Sequence, residues 1–350
     1  MSGRTAVAAG LTLLRPHPRV SLLLHRRSAA VAVALLALLA AVMITSASVG
    51  QTYIAPSDVW HTLRTGTGPH DLVVNELRVP RIVVGALVGA ALGLAGALVQ
   101  TVTRNPLASP DVIGVGHGAA AATVLALATG AVSSPGAMPV VSVLGGLAAA
   151  ALVYVLAWRG GMQPSRFVLT GVGIGVALSA VVQLYLTDSE LEAAEQVKLW
   201  LTGSLNGRGW AQAGPLALVL GLSLPGLVWA SRALRPLGLD ADTAAGLGIR
   251  VDRVRLGLTV LGVVLAATAT GAAGPIGFVA LTAPQLARRL TRTPQLPLFN
   301  AALTGAIVLV AADLAARTLL PPLEIPVGAL TALVGGPYLL WLLGRRTATR

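Results

Sequence analysis

Ten long apolar runs constrain this chain more than any other feature of its sequence. A helix that crosses a lipid bilayer needs about 20 mostly apolar residues, and charged residues make up only 11% of the chain, against about 25% in soluble domains. The sequence therefore predicts an all-α membrane protein and excludes an ordinary soluble enzyme or a disordered chain. The ten predicted spans are 29–50, 82–102, 113–132, 139–158, 167–186, 213–230, 254–273, 275–290, 299–319 and 326–344.

The distribution of arginine predicts which connections face the cytoplasm. The net charge of +12 comes from 25 basic residues, of which only Lys198 is a lysine. Arginines cluster before the first span and in alternate connections, as the positive-inside rule requires, so we predict both termini inside and no nucleic-acid partner. The predicted parts are a basic cytoplasmic segment at 1–28, one polytopic domain at 29–344 and a cytoplasmic tail at 345–350.

Three stretches leave room for another interpretation. The first span has a basic start and small residues after it, so a cleaved signal peptide is an alternative, although its apolar run is long for one. The eighth span, 275–290, is short and ends in two arginines. The alternative to a full crossing is that this segment is partly re-entrant. Connection 51–81 is predicted to lie outside, yet it holds Arg64, Arg78 and Arg81, which the charge rule does not explain.

Two local patterns carry structural predictions. Gly85, Gly89 and Gly93 are four residues apart in the second span, with Gly96 close behind, so a neighbouring helix can pack closely against them. The connection after this span is predicted to be a shaped turn, because prolines cannot continue a helix. The residues that define this turn are Asn105, Pro106 and Pro110.

A set of motifs in fixed order resembles the FecCD family, the permease subunits of importers for iron–siderophore, haem and cobalamin. The resemblance covers roughly residues 75–350 and implies a BtuC-like, type II importer permease fold of about ten transmembrane helices. The motifs are Leu77-Arg78-Val79-Pro80-Arg81, Arg104-Asn105-Pro106-Leu107-Ala108, Trp200-Leu201-Thr202-Gly203-Ser204-Leu205, Gly274-Pro275-Ile276-Gly277-Phe278-Val279, Ala312-Asp313-Leu314-Ala315-Ala316-Arg317 and Glu324-Ile325-Pro326-Val327-Gly328.

The resemblance implies that outward-facing arginines receive acidic residues of an extracytoplasmic substrate-binding protein. The matching positions are Arg78, Arg81 and Arg317, and this role would explain the arginines in connection 51–81. A guanidinium binds a carboxylate through two parallel hydrogen bonds, which gives orientation as well as attraction. Headgroup contact and pairing with local acids remain alternatives, and for Arg317 the competitor is Asp313, four residues earlier on the same helix.

The resemblance also implies that the predicted cytoplasmic segment 236–250 couples to a separate ATPase, present in two copies. The family has two short helices here, and the alternative is an amphipathic loop on the membrane surface. In this segment Asp242 can cap a short helix and Gly248 can end it, whereas Asp240 stands where the family usually has glycine. The predicted coupling residues are Leu239, Asp240, Asp242, Ala244, Leu247 and Gly248.

The remaining implications concern energy source, assembly and cargo. The only lysine lies outside any Gly-Lys-Ser/Thr motif, so we expect ATP and Mg²⁺ to bind the partner ATPase, with no cofactor or metal in this chain. A second permease, identical or a sister chain, would complete a dimer in the lipid of a bacterial inner membrane. Ferric siderophore is the favoured cargo, with Gln183 on the path. Haem, cobalamin and an ion-coupled secondary transporter are the alternatives.

Two residues depart from the family pattern. Gln285 stands where a histidine is usual, and His117 stands where a small polar residue is usual. A lone histidine invites a metal interpretation, but no second ligand lies at a suitable spacing, so packing is the preferred explanation for His117.

Overall fold

The computed structural model describes residues 11–17, 20–50, 52–131, 137–158, 163–237 and 241–347. In these residues the chain is a bundle of α-helices preceded by an antiparallel hairpin of two strands, β1 (Leu11–His17) and β2 (Val20–His25). The helices are α1 (Arg26–Ser48), α2 (Pro56–Thr65), α3 (Val79–Thr103), α4 (Val115–Ala128), α5 (Met138–Ala157), α6 (Pro164–Asp188), α7 (Leu191–Leu201), α8 (Trp210–Leu237), α9 (Ala241–Gly246), α10 (Val251–Ala273), α11 (Val279–Thr291), α12 (Leu298–Thr318) and α13 (Val327–Thr347).

Each predicted span overlaps one helix of the bundle, so the predicted fold class is confirmed. Seven helical stretches in the described part of the chain are long and apolar enough to cross a membrane. The helices α4 and α11 are shorter, with 14 and 13 residues. At 1.5 Å per residue they reach only about 20 Å, less than the roughly 30 Å of a bilayer core. The number of complete crossings therefore stays a prediction.

The helix α3 forms the centre of the bundle and packs against α10, α11 and α12. Its glycines do what their spacing predicts. Gly89 and Gly93 lie against the backbone of α12 at Gly305 and Ala301, and Gly96 lies against the carbonyl of Ala280 in α11. A side chain at any of these positions would meet backbone atoms, so the small residues allow three helices to pack closely around α3.

Two helix pairs repeat the same order of elements. The long helix α3 is followed by a turn and the short α4, and the long α10 is followed by a turn and the short α11. Each turn contains a glycine with positive φ, Gly114 at 83° and Gly274 at 77°, a conformation that disfavours other residues. The two pairs therefore share one local pattern: a long helix, a turn containing a glycine with positive φ, and a short helix.

Candidate functional site

A cavity of about 450 Å³ lies at one end of the bundle, where three connections meet: the one before α3, the one between α7 and α8, and the one between α12 and α13. We call it the arginine pocket, defined by Arg78, Arg81, Arg208 and Arg317, which all line it. It brings together the three arginines that the sequence analysis predicted for docking. It also contains Arg208, which the sequence motifs did not single out.

Arg78 is buried and held by backbone carbonyls. It ends the π-helical turn Leu72–Arg78 that leads into α3, and only 7% of its surface is exposed. Its guanidinium donates hydrogen bonds to the carbonyls of Ala47 (2.7 Å), Ser48 (3.1 Å) and Thr52 (2.6 Å). The last carbonyls of a helix have no partner within the helix, so Arg78 closes the end of α1 and fixes it to α3.

Arg81 and Arg317 share one buried carboxylate. Arg81 donates to Asp313 from Nε (3.1 Å) and Nη2 (2.9 Å), and from Nη1 to Glu324 (2.9 Å). Arg317 forms an ion pair with Asp313 (Nε to Oδ2, 3.3 Å) and donates from Nη2 to the hydroxyl of Ser46 (2.6 Å). Pairing with local acids, the alternative to docking, is therefore what this conformation contains. A docking role for these arginines stays a prediction.

Arg208 differs from the other three arginines of the pocket. It lies in the loop between α7 and α8, and its guanidinium forms no hydrogen bond or ion pair with any described residue, while Nε is buried. Desolvation lowers the pKa of Arg208 from its ordinary value, but arginine stays protonated in proteins. The sequence offered only a weak signal for this site, an arginine four residues after the Gly-Ser of the Trp200–Leu205 motif.

A second cavity, of about 350 Å³, lies at the opposite end of the bundle and is lined by residues of the predicted inner connections. Gln285 departs from the family pattern and here joins two helices. Its Nε2 donates to Oε1 of Gln100 in α3 (2.6 Å), and Gln100 donates to the carbonyl of Leu281 (3.0 Å). Arg288 donates to Oε1 of Gln285 (2.9 Å). The glutamine at position 285, where the family usually has histidine, therefore forms a buried hydrogen bond between α3 and α11.

The predicted coupling segment begins where α8 ends, beside this second cavity. Leu239 and Asp240 lie outside the described residues, and the described part contains one short helix, α9, where two were expected. The described part of α9 begins at Ala241, directly after residues outside the described part, so capping by Asp242 stays a prediction. Coupling by Leu239, Asp240 and the residues of α9 stays a prediction.

The far end of α9 agrees better with the expectation. Gly248 has φ of 79° and ends the helical turn, and the N–H of Ile249 returns to the carbonyl of Ala244 (3.2 Å), as in a Schellman motif. Ala244 is buried, whereas Leu247 is 66% exposed. Leu247 is therefore available to a partner, and Ala244 is used in packing within the chain.

The turn after α3 has the shaped form predicted for it. The side chain of Asn105 accepts a hydrogen bond from the N–H of Leu107 (3.0 Å), an Asx turn. Arg104 before it has φ of 50°, and Pro110 starts a 3₁₀ turn, Pro110–Ile113, that packs against α6. The chain is thereby turned back into the bundle, and α4 starts inside it.

A third cavity, of about 360 Å³, lies between α4 and α6. Gln183, the predicted path residue, lines it together with Ser179, His117 and Asp111. Nδ1 of His117 is buried without a hydrogen-bond partner, and the ring lies against Gly175. The cavity therefore places an amide, a hydroxyl, an imidazole and a carboxylate around one space within an otherwise apolar part of the bundle.

Comparison with known sequences matches one family across most of the chain. The model described as the FecCD transport family covers residues 38–345. The ferric enterobactin transport system permease protein FepG of Escherichia coli (strain K12) is 38% identical over 296 residues, which cover 84% of this chain and 89% of that protein. The hemin transport system permease protein HmuU of Yersinia pestis is 35% identical over 327 residues, covering 90% and 96%.

Comparison with solved structures gives the same result at the level of the fold. One structure, described as an inward-facing conformation of a transporter assigned to the metal-chelate ABC type, superposes with a TM-score of 0.78. It is 28% identical in sequence, and the match covers 90% of this chain and 99% of that chain.

Proposed function

The chain belongs to the FecCD transport family, and from this premise we propose that it is the permease subunit of an importer for ferric siderophore. As a family member it is a multi-pass membrane permease of the metal-chelate type. It has a transport role and is not expected to carry out chemistry. The proposal adds the cargo, the direction of transport and the partners, and it locates the chain in a bacterial inner membrane.

One observation carries the proposal: cavities lined in part by polar or charged side chains lie at both ends of the bundle and between them. The arginine pocket collects the connections predicted to be extracytoplasmic, and the opposite cavity collects those predicted to be cytoplasmic. The cavity lined by Gln183 lies in the apolar part of the bundle between α4 and α6. An importer needs a surface that receives the cargo on one side of the membrane and a separate surface that contacts the ATPase on the other side.

The proposed cycle assigns a partner to each end. A loaded substrate-binding protein docks at the arginine pocket, where Arg78, Arg81 and Arg317 lie. Two ATPase subunits, which bind the ATP and Mg²⁺, act on segment 236–250 through α9 and the exposed Leu247. A second permease, identical or a sister chain, provides the other half of the path. Closure of the ATPases then exchanges outward and inward openings.

The composition of the middle cavity supports a siderophore over haem. Ferric siderophores expose many carbonyl, hydroxyl and amide groups, and the cavity presents four side chains that hydrogen-bond to such groups. Haem presents a large apolar face, which would favour an apolar lining. An ion-coupled transporter would need an acidic group in the membrane that can change its charge. Asp313 is held by two arginines, which leaves Asp111 in the middle cavity as the acid that such a mechanism would use, and the ionophore arm of the uptake assay separates the two mechanisms.

Uptake into reconstituted vesicles tests the proposal. We expect vesicles that contain the permease, its ATPase and its binding protein to accumulate a ferric siderophore only with ATP inside and binding protein outside. The panel should include ferric enterobactin, ferric citrate, haem and cobalamin. Uptake that continues without the ATPase and stops when a proton ionophore is added would contradict the proposal. Uptake of haem or cobalamin alone would show that the proposed cargo is wrong and that the proposed role as an importer is right.

A further inference from the structure

The second cavity, at the end of the bundle opposite the arginine pocket, combines two arginines with two buried glutamines. Arg104 and Arg288 line it together with Gln100 and Gln285, which are only 3% and 4% exposed. No carboxylate is among the described residues that line this cavity. Its volume of about 350 Å³ is that of a small-molecule site, so the space suits a ligand larger than a water molecule.

The two glutamines use their acceptor oxygens within the chain. Arg288 donates to Oε1 of Gln285, and Nε2 of Gln285 donates to Oε1 of Gln100. Nε2 of Gln100 donates in turn to the carbonyl of Leu281. A side-chain amide nitrogen has two N–H groups, and each of these bonds uses one of them. The hydrogen-bonding groups that border the cavity are therefore mainly donors, which suit a ligand rich in acceptor oxygens.

The positive charge around the cavity comes from three helices. Arg104 directly follows α3 and donates from Nη2 to the carbonyl of Leu237 (3.4 Å), and Arg288 lies near the end of α11. Arg255 of α10, behind the cavity lining, is close enough to Arg104 for the two charges to repel each other, and Asp252 offsets the charge of Arg255 in part. An anion in the cavity would lower the electrostatic energy of these arginines.

The level of the cavity in the membrane favours a phospholipid as the source of that anion. Leu234 and Leu237, at the end of α8, form an apolar part of its wall together with Leu296. Trp229, five residues before Leu234, is 41% exposed, and tryptophan is typical of the level at which a bilayer meets water. A phosphate between the arginines would lie near this level, where the leucines can contact the glycerol and the first acyl carbons.

We propose that the second cavity binds the phosphate of an anionic phospholipid and that Arg104 and Arg288 are its principal contacts. Basic pockets between membrane helices on the cytoplasmic side are known to bind anionic headgroups, and the cavity lies on the side predicted to be cytoplasmic. A guanidinium can bind two phosphate oxygens through parallel hydrogen bonds. The bound lipid would join the ends of α3, α8 and α11 beside the coupling segment. The inference does not depend on the cargo.

Native mass spectrometry of the complete transporter, permease with ATPase, tests this inference in detergent. We expect the wild type to bind phosphatidylglycerol more tightly than phosphatidylethanolamine. Arg104→Asn should raise the Kd for phosphatidylglycerol about tenfold or more, because it removes charge-assisted hydrogen bonds. Asparagine tolerates the φ of 50° at this position. Arg104→Lys should give an intermediate Kd, since lysine keeps the charge and loses the bidentate geometry.

The matched control is Arg292→Asn. Arg292 directly follows α11, is exposed, has φ of 51° and does not line the cavity, so its replacement makes the same change of charge in the same backbone conformation. We expect its Kd for phosphatidylglycerol to stay within twofold of the wild type. Equal losses in Arg104→Asn and Arg292→Asn would show only a diffuse attraction to the basic surface, and the inference would be wrong.

The Tm separates lipid binding from a structural role of Arg104. A ligand that binds the folded state raises the Tm, so added phosphatidylglycerol should raise the Tm of the wild type and of Arg292→Asn, with little effect on Arg104→Asn. An equal rise in all three proteins would overturn the inference, whatever the Tm of Arg104→Asn without lipid.

Two further outcomes would also overturn it. Displacement of phosphatidylglycerol by millimolar inorganic phosphate would make free phosphate the ligand in place of the lipid. Lipid that binds the permease alone but is absent from the complete transporter would mean that the ATPase fills the cavity. Both results would leave the proposed function standing, because the uptake assay tests that function separately.

Discussion

At the scale of single residues, Asp313 is the position on which the arginine pocket depends. It is only 2% exposed and accepts from Arg81 while pairing with Arg317. Through these two arginines it joins α12 to the start of α3 and to Ser46 near the end of α1. Two buried guanidinium groups therefore share a single buried carboxylate as their common counter-charge, with Glu324 compensating Arg81 further.

Neutralising Asp313 should destabilise this end of the bundle. The change Asp313→Asn leaves two buried arginines without their shared counter-charge, and breaking a buried ion pair typically costs about 3–5 kcal/mol. We expect a clearly lower Tm for the detergent-solubilised permease. The control is Asp188→Asn at the end of α6, an exposed carboxylate, which should leave the Tm unchanged. Equal Tm values for the two variants would contradict the role of Asp313.

The sequence predicted which arginines meet at this end, but it did not predict their partners. Arg78, Arg81 and Arg317 were found from motifs, and Asp313 was weighed because it precedes Arg317 by one helical turn. The contact between Arg81 and Asp313 joins residues 232 positions apart, so it depends on how α12 packs against α3. Arg208 was missed because a lone loop arginine has no periodicity, and only burial distinguishes it.

At the scale of secondary-structure elements, the position of α11 depends on a close approach to α3. Gly96 faces the carbonyl of Ala280, and Gln100, one turn further along α3, bonds to Gln285 and to the carbonyl of Leu281. The first contact requires the absence of a side chain, and the second requires two amides at a fixed separation. Together they fix the position of α11 along α3 and its distance from α3. The helix α11 lies between the middle cavity, lined by Gln183, and the end of the bundle that holds the predicted coupling segment.

A single methyl group at Gly96 should disturb this contact. In Gly96→Ala the new Cβ would meet the backbone of Ala280, which can move only with its helix, and overpacking of this kind costs about 1–3 kcal/mol. We expect a lower Tm and slower uptake. The control is Gly221→Ala in α8, where a Cβ meets nothing within 4 Å, and where better helix propensity should leave the Tm equal or slightly higher. If Gly96→Ala has the same Tm as the control, α11 can move away from α3 at little cost in free energy, and the close contact at Gly96 does not fix its position.

The elements themselves were largely predictable, because apolar length alone identifies a membrane helix. The two short helices were not. Hydropathy treats Val115–Ala128 and Val279–Thr291 as parts of longer apolar runs, since the preceding residues are also apolar. What shortens them is backbone conformation, with Gly114 and Gly274 in positive φ and Phe278 at φ of 66°. At Gly274 the backbone also lies close to the carbonyl of Trp200 in α7, a long-range contact that no local pattern reports.

At the scale of the whole molecule, α3 separates the two polar ends. Its first turn contributes Arg81 to the arginine pocket, and Arg104, just past its last residue, lines the opposite cavity. The 25 residues of α3 span about 37 Å, enough to cross a bilayer core. The two cavities therefore lie on opposite sides if α3 crosses the membrane, and the assignment of docking and coupling to different compartments follows from this one helix.

Labelling of introduced cysteines tests this arrangement in intact cells. The chain has no cysteine of its own, so single replacements report without background. Leu77 beside the arginine pocket and Leu247 after α9 are both well exposed, and neither has an ion pair to lose. We expect an impermeant maleimide to label Leu77→Cys from outside, and to label Leu247→Cys only after the membrane is opened. Labelling of both from the same side would place the docking and coupling surfaces in one compartment, and this would contradict an importer driven by a cytoplasmic ATPase.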